Sequence, residues 1–424
     1  MSIFTQYKKI FIVSGFIIIS LGLLFLIIWM FFIPDKPKPG EPGYIPPGAY
    51  LPEIGKGANL QELIDSGQLP SAGNISVKET ETATQPREPD TIARGYQTYT
   101  LPITKNKVIG MTLSADKNGV AFYDQADQKF YRLSADGEDK IPLSDEKFYN
   151  VRDVVWSPDA TRAIIVYPDG MKVFYDFSTK KKITLPKELT DIKFAPSTDK
   201  IGFKFDTSDP DSNFIGVARP DGTQAQVLEE TEDQGRFFHV DFSPSEEVVA
   251  FYQKPTSANS SEIFLVGQQG ENFKSFEIEG TRFESKWSPK GTRLLYNVVM
   301  AEYGFRPMLW VVAASGTQMS SYKVSLGLYT WINKCIFTSE IELYCAVPKN
   351  MPEGAGLYPE ILDNISDVIY HIDLVSNRKK IIADPVLQNN DAEFKIASMQ
   401  VSGDGKFLFF FDNNSEKIYS LRLK

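Results

Sequence analysis

One short phrase returns along this chain and limits what it can fold into. It is an aromatic or aliphatic residue, then Ser or Ala, then Pro or a polar residue, then a turn that leads into an apolar strand. The clear copies are Trp156-Ser157-Pro158-Asp159, Phe194-Ala195-Pro196-Ser197, Phe242-Ser243-Pro244-Ser245 and Trp287-Ser288-Pro289-Lys290. Weaker copies are Leu113-Ser114-Ala115-Asp116, Phe337-Thr338-Ser339 and Val401-Ser402-Gly403-Asp404. Successive copies are 43, 38, 48, 45, 50 and 64 residues apart. A period in that range, with four short strands per unit, predicts an all-β fold, a β-propeller. Seven blades are expected, and six or eight fit as well because the first and sixth copies are weak.

The last unit supplies an internal check. It provides strands over 395–401, 406–412 and 417–423, and then lacks an outer strand. The stretch Tyr96–Leu101 is an orphan strand pattern ahead of the first unit. Paired beside 417–423, it would close the ring and remove an exposed edge. The Ser-Pro-Asp residues are read as turn chemistry, since Pro fixes φ while Ser and Asp bond nearby backbone.

Residues before the repeats divide into three. Residues 1–9 form a short N-terminus ending in Lys8 and Lys9. Ile10 to Ile33 is an apolar run of 24 residues, broken only by Ser14, Gly15, Ser20 and Gly22. At about 1.5 Å per residue it can span a hydrocarbon layer of about 30 Å. It is longer than the apolar core of a cleaved signal and has no small-residue cleavage site. The expectation is a single-pass signal anchor in the inner (plasma) membrane, N-terminus cytoplasmic, repeats extracytoplasmic. Residues 34–93 hold ten prolines and form a spacer, largely disordered. The repeats occupy 94–424.

The net charge of −9 argues against a nucleic-acid surface. The two cysteines, Cys335 and Cys345, lie symmetrically about Glu340 in a hairpin. Facing positions admit a cross-strand disulfide and so an oxidising compartment. The alternative is two small buried apolar residues.

The pattern Val155-Trp156-Ser157-Pro158-Asp159 with Ile164–Tyr167, Lys286–Gly291 with Leu294-Leu295-Tyr296, and Val368–Asp373 resembles the TolB-type, WD40-like propeller repeats of bacterial envelope proteins. The resemblance covers about the last 330 residues and implies fold more than function. Relatives of that type include partner-binding envelope proteins and the gating domains of oligopeptidases. No Gly-x-Ser-x-Gly elbow occurs in these residues, so an oligopeptidase-type hydrolase is not expected.

Catalytic chemistry is thinly represented. Of the two histidines, His239 falls on an inner strand and His371 on a third strand; neither belongs to a zinc-spaced cluster. Asp206, Asp209 and Asp211 alternate in a manner compatible with Ca²⁺, although a polar turn explains them better. No cofactor is expected. The loops between second and third strands lengthen in units three to six: Asp206–Ser212, Lys254–Ser261, Val299–Pro307 and Val347–Asp367. All such loops leave one face of a propeller, and insertions on one face mark a binding face. Met300, Tyr303, Phe305, Met351, Leu357, Tyr358 and Ile361 are its expected apolar contacts. The leading expectation is a non-enzymatic scaffold or assembly factor that binds an envelope protein or peptide. The alternative is an enzyme or small-ligand sensor at the channel mouth, using His239 and nearby carboxylates. A polar, convergent channel with shifted ionisable groups would favour the alternative.

Overall fold

The computed structural model describes residues 88–315, 319–388 and 393–424. The expected anchor 10–33 and all but the end of the spacer lie outside the described residues. Among the described residues no helix is long and apolar enough to cross a membrane.

The described chain is built of antiparallel strands arranged as a propeller. Five four-stranded sheets follow one another in sequence order, spanning Val108–Pro142, Asp153–Leu185, Leu189–Glu230, Phe238–Glu279 and Thr281–Tyr329. We call them sheets one to five. The remaining strands merge into one sheet of eight, so the chain does not divide into seven separate sheets as the period predicts. One end of that sheet holds Cys335–Phe337, Glu342–Pro348, Asp367–Asp373 and Arg378–Val386. The other end holds Ile396–Val401, Phe407–Asp412 and Lys417–Arg422.

Tyr96–Pro102 is what joins the two ends. Its second half runs antiparallel to the final strand, with Thr100 opposite Leu421 and Pro102 opposite Tyr419. This is the closure the sequence predicts. Its first half runs parallel to the preceding unit, with Tyr96 opposite Ala383 and Tyr99 opposite Val386. The strand therefore serves two neighbours, and the edge groups of both are occupied.

The recurring turn shows why its serine recurs. In five copies the Ser Oγ accepts the N–H five residues on. The donors are Gly119 to Ser114, Arg162 to Ser157, Val248 to Ser243, Arg293 to Ser288 and Phe407 to Ser402, at 2.9–3.1 Å. In three of them the hydroxyl donates to an Asp two residues on: Asp116, Asp159 and Asp404. The turn is thus pinned from both sides by side chains, as Ser and Asp favour. The preceding aromatic packs between sheets. Trp156 meets Phe130 of sheet one edge-on at 5.5 Å and donates its indole N–H to the Gly110 carbonyl at 2.7 Å. Trp287 stacks on Phe251 of sheet four at 5.6 Å.

The copy Trp-Ser-Pro-Lys lacks the Asp, and a neighbour supplies the carboxylate. Glu340, in the first hairpin of the next unit, accepts from Ser288 Oγ at 2.9 Å, from the Lys290 N–H and from Thr292 Oγ1. Burial pushes the Glu340 carboxyl up, and these hydrogen bonds outweigh it, holding the group below its usual value. Glu340→Ala is expected to lower stability in urea by about 1–3 kcal/mol, since it strands a buried Ser288 hydroxyl. Adding Lys290→Asp, which restores the pattern of the other turns, should recover part of that loss. A double variant no more stable than Glu340→Ala would show that the missing carboxylate is not what the turn needs.

Two loop expectations change. In sheets four and five the extra residues lengthen strands instead of loops. Val248–Pro255 pairs with Ser260–Gly267 out to Pro255 opposite Ser261. Arg293–Met300 pairs with Arg306–Ala313 out to Met300 opposite Arg306. Each added ladder pair satisfies backbone groups that a loop would leave to water.

Candidate functional site

In an antiparallel meander the second-to-third-strand loops and the connections between sheets emerge at one end. On this face two loops interlock. The first is residues 301–305. It begins with a 3-10 turn over Ala301–Tyr303 and turns back through Gly304 and Phe305, whose φ values are +62° and +54°. The second is residues 349–366, with a 3-10 turn over Pro359–Leu362.

Backbone hydrogen bonds tie the loops together. Gly354 N–H donates to Gly304 O and Gly356 N–H to Phe305 O, both at 2.8 Å. Arg306 Nε donates to Met351 O at 2.7 Å and Nη1 to Tyr303 O at 3.2 Å. A Cβ at position 356 would stand 2.7 Å from Phe305 O and 2.6 Å from Val299, so only glycine allows this approach. Beneath, Met351, Ala355 and Leu362 pack with Tyr329, Trp331 and Ile365.

The seven apolar residues expected on this face separate accordingly. Met300 and Met351 are buried and belong to packed clusters, which corrects the expectation that they are exposed contacts. Their unbranched side chains fill gaps beneath the loops. Tyr303 and Leu357 are half-buried. Phe305, Tyr358 and Ile361 remain exposed, at 43%, 60% and 43%.

Beside them lies a groove of about 350 Å³ lined by Trp331, Lys334, Pro359, Leu362, Lys395 and Asn413 among others. Its floor is fixed by a buried ion pair. Lys334 Nζ donates to both Asp367 oxygens at 2.8 and 2.9 Å, and Asp367 also accepts the Ile396 N–H at 2.7 Å. Burial pushes the Asp367 carboxyl up while Lys334 opposes the shift. The turn Ile332–Lys334 that delivers this lysine joins two units, and sequence reasoning did not single it out.

Nearer the ring axis, the inner strands of sheets three to five carry charge. Asp191 accepts the Val240 N–H at 2.8 Å. Asp241 accepts from Ser285 Oγ at 2.9 Å and faces Lys193 Nζ at 3.8 Å. Lys286 Nζ donates to Cys335 O. Each tie joins one inner strand to the next. Burial pushes Asp241 and Glu284 up and His239 down. His239 is half-buried on Phe238–Val240, among Asp191, Lys193 and Lys204.

Cys335 and Cys345 are buried directly opposite one another, joined by a disulfide with Cα atoms 4.1 Å apart. Asp209 caps the turn Pro210–Ser212, and Asp206 accepts from Thr190 Oγ1. Among the described residues no three His, Cys, Asp or Glu side chains gather as a metal site.

Lys286 gives a pH signature. Burial lowers its pKa from 10.5 to about 8, with Asp241 pulling the other way. Between those values the unfolded chain holds the proton and the folded chain does not. Stability from this group therefore rises from about pH 8 to about pH 10.5, and on lowering the pH it is lost across the same window, the loss being complete near pH 8. Comparing urea midpoints at pH 7 and pH 10, the native chain should gain about 1–3 kcal/mol relative to Lys286→Met. Parallel profiles would contradict a buried ammonium.

No protein-family model matches the chain, and no curated protein matches it. Among solved structures, the β-propeller domain of Myceliophteria thermophila Cps50 (Swd1) aligns over 77% of this chain and 98% of its own, at 9% identity and TM-score 0.50. The tricorn protease aligns over 76% of this chain at 12% identity and TM-score 0.49; this chain spans about a third of its length, 34%. Kuenenia stuttgartiensis hydrazine synthase aligns over 75% of this chain and 96% of its own, at 13% identity and TM-score 0.48. The Swd1 likeness shows a shared β-propeller fold, and the weaker two add nothing to it.

Proposed function

We propose that this chain is a seven-bladed, TolB-like propeller that captures a protein or peptide of the cell envelope on the face built by loops 301–305 and 349–366. The observation that carries this reading is the pair of interlocked loops. Phe305, Tyr358 and Ile361 stay exposed on a support held by backbone hydrogen bonds. Large apolar groups on a rigid support lose little conformational freedom on binding, and aromatic residues are favoured anchors. Counting Tyr96–Pro102 with the final three strands makes seven four-stranded units and supports the blade number. The apolar run Ile10–Ile33 supports a membrane anchor, with the spacer setting reach and the Cys335–Cys345 bridge fitting an oxidising compartment. The role is that of a scaffold or assembly factor.

The test is a photo-crosslinking amino acid at position 358 of the full chain in its native membrane, with position 375 as control. Val375 is more exposed, at 70%, and lies on a third-to-fourth-strand turn at the opposite end. A discrete protein adduct is expected at 358 and not at 375, and Phe305→Ser with Ile361→Ser should remove it. An adduct that survives those changes, or forms equally at 375, would sink this assignment.

A second reading, a small-ligand sensor at the channel, is favoured by one observation. Lys193 keeps half its side chain in water while standing among buried groups with shifted pKa values. Small carboxylates are its test set. One that raises the melting temperature of the native chain but not of Lys193→Met would carry it; equal shifts in both would discard it.

A further inference from the structure

The loop face carries an excess of negative charge, and the way its few cations are held makes that excess available. Loops 301–305 and 349–366, with Arg306, contain four acids, Glu302, Glu353, Glu360 and Asp363, against Arg306 and Lys349, a balance of 2 − 4 = −2. Both cations are already paired. Arg306 is bonded to the Met351 and Tyr303 carbonyls and lies 3.5 Å from Glu353. Lys349 pairs with Asp384 at 2.9 Å. Lys395 reaches up from the groove to Asp363 at 2.6 Å. Glu302 and Glu360 are exposed and make no ion pair among the described residues. The same end of the molecule brings Asp209 and Asp211 in loop 206–213, and Glu232 and Asp233 with Arg236 in the connection between sheets three and four, again an acidic excess.

Exposed aromatic rings stand next to these carboxylates. Tyr358 directly precedes the turn that carries Glu360 and Ile361, and Phe305 lies two residues beyond the turn residue Tyr303. A ring face attracts Lys or Arg, and adjacent carboxylates reinforce that attraction. An apolar patch rimmed by one sign of charge selects partners of the other sign and speeds their encounter. The same carboxylates repel nucleic acid and anionic lipid headgroups.

We infer that the occupant of this face is a basic protein segment, with Lys or Arg side chains flanking an apolar anchor that seats on Phe305, Tyr358 and Ile361 beside the 350 Å³ groove. This rests on the loop-face reading above and names the chemistry of its partner.

The experiment uses the full chain in detergent micelles and two dye-labelled twelve-residue peptides. One alternates Lys and Leu, the other Glu and Leu. Fluorescence anisotropy is read at low and at moderate salt. The Lys peptide should bind at least about tenfold more tightly than the Glu peptide, and weaken as salt rises. Glu302→Lys with Glu360→Lys should weaken it at least about tenfold, as should Tyr358→Ser with Ile361→Ser. Glu138→Lys with Asp139→Lys makes an equal charge change on exposed residues of a sheet-one turn and should leave binding within about twofold. Equal loss in both charge-reversed pairs would mean bulk attraction and overturn the inference, as would equal binding of the two peptides.

The native crosslink at position 358 separates this from the broader reading. If it persists in Glu302→Lys with Glu360→Lys, the loop face is a capture site whose partner is not basic. If it never depended on Phe305 and Ile361, the loop face itself is discarded.

Discussion

A buried serine hydroxyl accepting a backbone N–H five residues ahead is the contact on which the architecture hangs. In five units it ends the inner strand at a fixed place and starts the second strand in fixed register. Register in turn decides which residues face the neighbouring sheet. With the turn held, Trp156 and Trp287 are delivered into the seams between sheets, where their rings stack on Phe177 and Phe251 at 5.5 and 5.6 Å. Seam packing then replaces the single core that a chain of this length could not build.

The sequence was legible where the determinants are local. Ser157, Pro158 and Asp159 state their turn within four residues, and the orphan strand at Tyr96 announces the need for a partner. It was less legible where one unit completes another. Nothing near Lys290 indicates that Glu340, 50 residues on, replaces the missing Asp. The parallel contact of Tyr96–Tyr99 with Ala383–Val386 is equally remote. Met300 and Met351 looked like loop contacts because loops have no periodicity to separate floor from surface. The inner-strand charges did leave a trace. Asp191-x-Lys193-Phe, His239-x-Asp241-Phe and Glu284-x-Lys286-Trp share one spacing ahead of the turn, and that alternation within apolar strands marks the inner edge.

Two kinds of polar chemistry are kept apart in this molecule. Near the axis, Asp191, Asp241 and Lys286 spend their hydrogen bonds on the next inner strand, so their charges are committed to holding the ring. On the loop face the cations are paired, while Glu302 and Glu360 make no ion pair among the described residues. The difference follows from where each residue sits in its sheet. Asp191, Asp241 and Lys286 each meet a group of the next unit, whereas the loop side chains Glu302 and Glu360 are exposed. Substitutions at the exposed loop positions leave the seams between sheets intact.

The shared strand Tyr96–Pro102 has a consequence for how the chain is made. Thr100 finds its partner at Leu421, and Thr100 Oγ1 also donates to Val386 O, 286 residues away. Neither contact can form until nearly the whole chain has been synthesised, so an early strand waits with an unpaired edge through almost all of translation. Contacts of such separation form slowly, and an open edge invites pairing with other chains. The last few residues before Lys424 therefore matter to solubility out of proportion to their number, and a chain stopped just short of them is left as an open arc with an exposed edge.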